Sequence, residues 1–309
     1  MKIKEIDIAD AGFRAFAEKY GSIFLHADWL ALYDSNLKVY VLKKGEELIG
    51  VFLLYEFKKI GLTFCIPPPF SPYNCLTVKN DVDKEECLKT VLAFISQKKA
   101  IVKKLAFDSS YFDFAYSQNS FTRTIGHTYV IPIHANQNVQ ANYLPKRRQQ
   151  IRRALKDEVV VKKICDETIF LNLVKLTFQR QGKKIDFARV AKIVSKFLNH
   201  SNAFAYCSYL NEVPLTAYLC IHDNSTAYYI LGGYNEEKKH IGAGPLAMDA
   251  CIQEARNRKL MYFDFEGSMV PSIARYFKEF GGELHEYPVY QSINSVGKII
   301  VKLKKMVLK

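Results

Sequence analysis

Residues 203–222, AFAYCSYLNEVPLTAYLCIH, are the part of this chain that most restricts its fold. Two apolar runs, 203–210 and 213–222, flank Asn211-Glu212, a pair suited to a tight turn between antiparallel strands. A third strand is expected at 226–233 (TAYYILGG). A helix follows at 244–258, where Met248, Cys251/Ile252 and Ala255 recur at i, i+3/i+4 and i+7, and then a strand opening MYFDFEG. The same order stands earlier in the chain. Strands are expected at 38–43, 48–57 and 61–66, the first two joined by Lys44-Gly45-Glu46-Glu47, then a loop PPPFSPYN, a helix over 84–99 and a strand at 103–108. A shift of 166 residues lays Tyr206 on Tyr40, Glu212 on Glu46 and Leu219 on Leu53, and Phe265-Glu266-Gly267-Ser268 parallels Phe107-Asp108-Ser109-Ser110.

The reading is a duplicated α/β (α+β) chain: residues 1–143 form the first copy, 144–309 the second. A basic segment joins them, and an additional helical pair at 166–181 and 186–199 opens the second copy. Helices near 10–19 and along IFLHADWLALYD open the first. A length of 309 residues suits two domains, and 49% hydrophobic with 24% charged residues suits a globular protein. The longest apolar runs, such as 48–57, are too short to span a bilayer and contain Glu56. MKIKEIDIAD lacks the apolar centre of a signal peptide, so a cytoplasmic location is expected. Seven cysteines without CxxC or Cys/His spacing read as reduced thiols, with no metal site.

The net charge of +13 makes an anionic partner plausible: a nucleotide-bearing substrate, tRNA or an anionic membrane. Leu144–Lys163 carries eight basic residues. On a helix, Lys146, Gln149, Gln150, Arg153 and Lys156 share one stripe, while Leu144, Ile151 and Leu155 form another. At the C-terminus, Val296, Ile299, Ile300, Leu303, Met306 and Val307 fall on one helical face and Lys298, Lys302, Lys305 and Lys309 on the other. Such a helix docks peripherally on an anionic membrane or packs on its own protein with the lysines in water.

Between the third strand and the helix of the second copy lies GGYNEEKKHIGAGPLAMDA. Gly242 and Gly244 let the backbone approach a ligand, Pro245 suits a first helical turn, and the amides there point outward at the positive end of the helix dipole. Lys239 and His240 stand beside it. The expected anion seat therefore comprises Lys239, His240, Ile241, Gly242, Ala243, Gly244 and Leu246; the alternative is a plain glycine-containing start of a helix.

KHIGAG resembles the Q/R-x-x-G-x-G/A signature of the GNAT acyltransferase superfamily, with lysine in first place. With IFLHADWL, LPKRRQQIRRALK and FDFEG…ARYFKEFGGE in this order, the chain resembles the two-domain Fem-type peptidyltransferases and bacterial acetyltransferase-like proteins. That resemblance implies two tandem GNAT-like domains, each a mixed, mostly antiparallel sheet flanked by helices. It also implies an acyl-CoA donor, acetyl-CoA or another, or else an aminoacyl-tRNA, and an amine acceptor. The tyrosine that many GNAT enzymes place four residues before the closing glycine is Phe277 here, with Tyr276 one place away.

Acyl transfer to an amine needs a base, donors for the developing oxyanion and a proton for the leaving group. In YFDFEG, Tyr262, Asp264 and Glu266 are expected on one strand face and Phe263 and Phe265 on the other. Glu266 is the first candidate base and Asp264 the second; a salt bridge from Asp264 to Arg275 is the structural alternative. Arg180 and Gln181, Tyr73 from the first copy, and Ser268 are candidates for holding the acceptor. His26, His127, His134 and His285 are isolated and read as structural. Two other functions remain open: a non-catalytic relative that binds a nucleotide or cell-envelope precursor, and an RNA-binding module using the 146–156 stripe.

Overall fold

The structure is a computed structural model and describes residues 1–114, 121–134, 138–180, 185–267 and 270–299. In chain order the elements are β1 (Lys2–Ile6), α1 (Ala11–Tyr20), α2 (Ala27–Leu30), β2 (Leu37–Lys44), β3 (Glu47–Lys59), β4 (Leu62–Ile66), β5 (Thr77–Val78), α3 (Lys84–Ser96) and β6 (Val102–Ala106). They continue with β7 (Thr122–Pro132), α4 (Pro145–Lys156), β8 (Val160–Lys163), α5 (Glu167–Arg180), α6 (Phe187–Phe197), β9 (Ala203–Leu210), β10 (Val213–His222) and β11 (Thr226–Tyr234). The last are α7 (Ala243–Asn257), β12 (Tyr262–Asp264), α8 (Pro271–Lys278) and β13 (Glu283–Ile293). The stretch 23–34 is not one helix: a 3-10 turn at Ile23–Leu25 and the single turn α2 bury Phe24, Leu25, Trp29 and Leu30, and the Trp29 indole donates to Ser71 Oγ at 3.0 Å.

The chain divides into two compact units, 1–127 with 286–309, and 128–285. Neither follows the chain-order division at 143/144. In the first unit the strands run β1-β2-β3-β4-β6-β13, antiparallel except for the β4–β6 pair, which α3 joins by a crossover. Tyr40, Leu42, Phe52 and Leu54 of β2 and β3 pack on Cys87, Leu88, Val91, Leu92 and Ile95 of α3.

The second unit repeats the arrangement as β8-β9-β10-β11-β12-β7, with β11 and β12 parallel and α7 as the crossover. Alternate residues of β10 are buried on both faces. Cys220 faces Cys251 and the α7 core, while Ala217 pairs with Gly233, against which α5 packs. A Cβ on Gly233 would stand 2.5 Å from the α5 backbone at Leu173 and Val174, so this helix crosses the strand only because the side chain is missing.

In both units the last strand comes from outside the repeat. The β6 strand pairs antiparallel with β13, from the C-terminal end of the chain, whereas β12 pairs antiparallel with β7, which precedes the second repeat. Neither pairing follows from the 166-residue internal match. The strand expected at 103–108 spans Val102–Ala106, and the helix over 84–99 ends at Ser96.

Candidate active site

The strands β11 and β12 pair over only three positions, Thr226–Tyr262, Ala227–Phe263 and Tyr228–Asp264. Beyond them β11 continues to Tyr234 while the other chain turns away, because Glu266 and Gly267 take positive φ (60° and 75°). The left-handed conformation is unfavourable for a residue with a Cβ and ends the strand. A cavity of about 600 Å³ opens in the gap. Residues of β10 (Thr216, Tyr218), β11 (Tyr229, Ile230, Gly232, Gly233, Tyr234), α5 (Thr177, Phe178, Arg180) and α8 (Ile273, Tyr276, Phe277) line it, together with Met248, Phe265 and Glu266.

This geometry separates the two carboxylates that strand alternation places together. Phe263 and Phe265 belong to the α7 core, where Phe265 stacks on Phe277 at 4.4 Å. Asp264 is buried on the other face, and its Oδ1 accepts the Thr128 hydroxyl and, at 2.8 Å, the Glu266 amide. Burial pushes the Asp264 carboxyl up to about 6 against the lowering effect of those hydrogen bonds. Arg275 is not its partner. Asp264 thus holds the turn, and Glu266 presents its carboxyl to the cavity, with Oε1 out of water and without a hydrogen-bond partner. Burial, then the nearby Asp264 charge, push the Glu266 carboxyl well above its ordinary range. A buried carboxylate without a partner is costly, and such groups concentrate where a ligand completes the site.

The turn before α7 departs from a bare anion seat. Gly242 is the N-cap, and a Cβ there would meet Gln150 O at 2.1 Å, so this glycine is required by the crossing of α4. The Gly242 amide donates to His240 Nδ1 at 3.1 Å, the Ala243 amide to His240 O at 3.2 Å, and Pro245 has none to offer. Of the first-turn amides this leaves Gly244. A Cβ on Gly244 would lie 3.1 Å from the Tyr218 hydroxyl and 3.5 Å from that of Tyr276, and these hydroxyls are 3.3 Å apart. The cavity side of the turn is therefore lined by one amide and two phenols.

His240 is held from behind by Asp157, Nε2 to Oδ2 at 3.2 Å, and Arg153 also bonds that carboxylate; His240 and then Arg153 hold the Asp157 carboxyl below its ordinary range. Lys239 is exposed and pairs with Glu236 at 3.2 Å. Ile241 is 68% exposed, while Ala243 and Leu246 are buried. Arg180 lies at the cavity wall, 3.6 Å from Glu236. Tyr73 belongs to the first unit, where its ring meets Tyr287 edge-on at 5.1 Å. Gln181 and Ser268 lie outside the described residues.

Helix α4 is rotated from the expected phase. Its inward residues are Arg147, Ile151 and Ala154, whereas Leu144 and Leu155 are 46% and 59% exposed. Arg147 pairs with the buried Glu279 at 2.7 Å and lies 4.0 Å above the Tyr276 ring. Burial pushes the Tyr276 phenol up to about 12, opposed by the Tyr218 hydrogen bond and the Arg147 charge. Helical spacing in the sequence missed this set, because an arginine at an inward position reads as polar until its buried partner is known. The outward face forms a groove of about 590 Å³ with Lys146, Arg152, Arg153, Lys156 and Ile241.

Residues 145–278 match the family model described as an acetyltransferase (GNAT) domain. No curated protein sequence matches the chain. Among solved structures, FemX is similar over 98% of this chain and 99% of its own, at 15% identity and a TM-score of 0.66. A conserved protein of unknown function from Bacteroides thetaiotaomicron aligns over 95% and 100% of the two chains, at 14% identity and a TM-score of 0.62. A tandem GNAT protein from the clavulanic acid biosynthesis pathway aligns over 94% and 98%, at 9% identity and a TM-score of 0.56. Residues 145–278 thus match a GNAT domain, and the chain as a whole has a fold like that of FemX and of the tandem GNAT protein.

Proposed function

We propose that the second unit is an N-acyltransferase site that passes an acyl group from an acyl-CoA, or from an aminoacyl-tRNA, to an amine acceptor. The observation that carries this reading is Oε1 of Glu266, buried without a hydrogen-bond partner at the cavity where β11 and β12 separate. An acceptor ammonium entering the cavity would supply the missing partner. It would then lose a proton to the Glu266 carboxylate and attack the acyl carbonyl as the free amine. The bond to the leaving thiol or hydroxyl breaks, the leaving atom takes a proton, and the second proton, shed by the nitrogen as the amide forms, restores the group that gave it. The Tyr276–Tyr218 pair beside Gly244 is placed to donate it, and Arg147 over the Tyr276 ring favours the anionic phenol left behind.

The donor fits this unit in three respects. Its acyl end suits the gap beside β11, its pyrophosphate the Gly244 amide at the positive end of α7, and its further phosphates the cations of the α4 groove beside Ile241. Lys239 and His240 flank that path, His240 chiefly by shaping the turn. Asp264 acts by position, through the Glu266 amide. Gln181 and Ser268 remain proposed contacts of the acceptor, with Arg180 at the cavity wall.

The test is thiol release from acetyl-CoA across a panel of primary amines, with binding of CoA measured separately. Glu266→Gln should keep CoA binding and lose turnover by about 10²-fold or more. A variant that turns over as the wild type does would remove Glu266 from the chemistry. A protein that binds CoA but acylates no amine would favour a non-catalytic, ligand-binding role.

A further inference from the structure

One end of the first unit's sheet combines exposed apolar side chains with exposed lysines. At the β3–β4 hairpin, Lys59 pairs with Leu62 and the two-residue turn is Ile60-Gly61, both with positive φ (50° and 71°). Two-residue hairpin turns of this kind favour Asn-Gly, and a β-branched residue there is strained. Yet the side chain is isoleucine and is 91% exposed, so it gains nothing from the fold in return.

The neighbouring segments add to this end. The Ile101 amide donates to Thr63 O at 2.9 Å, the Asn294 amide to Ile101 O at 3.1 Å, and Gly297 lies against Ile101, so the hairpin, the start of β6 and residues 294–299 stand in a row. There Val296 and Ile299 are 48% and 60% exposed. Lys58, Lys59, Lys99 and Lys298 are exposed around them. The one acid in segments 56–64, 97–103 and 294–299 is Glu56, which is neutralised by Lys98 and bonded by the Tyr40 hydroxyl. The sequence past Ile299, IVKLKKMVLK, adds four lysines and no acid.

We propose that this end of the first unit docks on an anionic lipid bilayer, with Ile60, Val296 and Ile299 entering the headgroup boundary and Lys58, Lys59, Lys99 and Lys298 facing the lipid phosphates. The charge decides the partner: apolar tips surrounded by cations, without a free acid, suit an anionic interface better than a second copy of this chain, which would set like charges against each other. The proposal is independent of the acyl-transfer reading.

The test is co-sedimentation of the full chain with vesicles of phosphatidylcholine alone or with one third phosphatidylglycerol. The wild type should partition onto the anionic vesicles and leave them in high salt. Lys58→Gln with Lys59→Gln should lower partitioning by about 25-fold, near fivefold per lysine. Ile60→Asn relaxes the turn, so it should melt no lower than the wild type while partitioning about tenfold less. Absence of binding to anionic vesicles overturns the proposal. So does binding that ignores these variants but falls with Arg152→Glu and Arg153→Glu, which would place the polyanion surface, RNA included, on α4. A concentration-dependent dimer that Ile60→Asn abolishes, without vesicle binding, overturns it in favour of self-association.

Discussion

Replacing Asp264 by Asn gives a direct reading of what the buried carboxylates cost the fold. The Asp264 carboxyl stands at about 6 in the folded protein against an ordinary 3.8, so between these values the folded state holds a proton that the unfolded chain has released. Stability is then complete below about pH 3.8 and is lost as pH rises through 6. At about 1.4 kcal/mol per pH unit, the full loss is about 3 kcal/mol. An asparagine oxygen can still accept from the Thr128 hydroxyl and the Glu266 amide, so the turn should persist without the charge. Relative to the wild type, Asp264→Asn should gain about 3 kcal/mol between pH 4 and pH 8, or about 6–12 °C in Tm. Urea or thermal melts at a series of pH values measure this. A difference between the proteins that does not change with pH would refute the argument that burial holds the carboxyl protonated.

Three further outcomes follow from the site. Glu266 acts only when ionised, and burial with Asp264 raises its pKa, so turnover should fall as pH drops through that raised value; Asp264→Asn removes the like charge and should move this limb of the pH–rate profile lower. Gly244→Trp places a side chain against the Tyr218 and Tyr276 hydroxyls and should abolish the Tm shift given by CoA, which for a ligand at 100 times its Kd is about 2.7 kcal/mol; a shift equal to that of the wild type would exclude the turn as the donor seat. Gly242→Ala drives a methyl toward Gln150 O, 2.1 Å from the Cβ position, and should destabilise the second unit by about 1–3 kcal/mol in denaturant melts, whereas no loss would mean α4 can move away.

Some of the site was legible because it is local. The turn before α7, the helix after it and the presence of two carboxylates in YFDFEG depend on neighbouring residues, and all are visible as residue type and spacing. The division of labour between Asp264 and Glu266 was not legible. It depends on Glu266 adopting positive φ, and on Thr128 of β7, 136 residues away, reaching Asp264. The Arg147–Glu279 pair and the Tyr276–Tyr218 contact were hidden for the same reason, since each joins residues far apart in sequence.

The sequence alone determined the two repeats, the hairpins at Gly45-Glu46 and Asn211-Glu212, and the crossover helices α3 and α7, because turn chemistry and hydrophobic periodicity act over a few residues. Tertiary structure decided which strand closes each repeat. The β13 strand joins β6 and β7 joins β12 because an unpaired sheet edge takes whichever strand can satisfy its backbone groups and bury its side chains, a choice that short-range sequence patterns do not encode. Tertiary structure also decided that the gap beside β11 becomes a cavity at which Glu266 Oε1 lies buried without a hydrogen-bond partner, since burial belongs to the assembled unit and not to any segment of the chain.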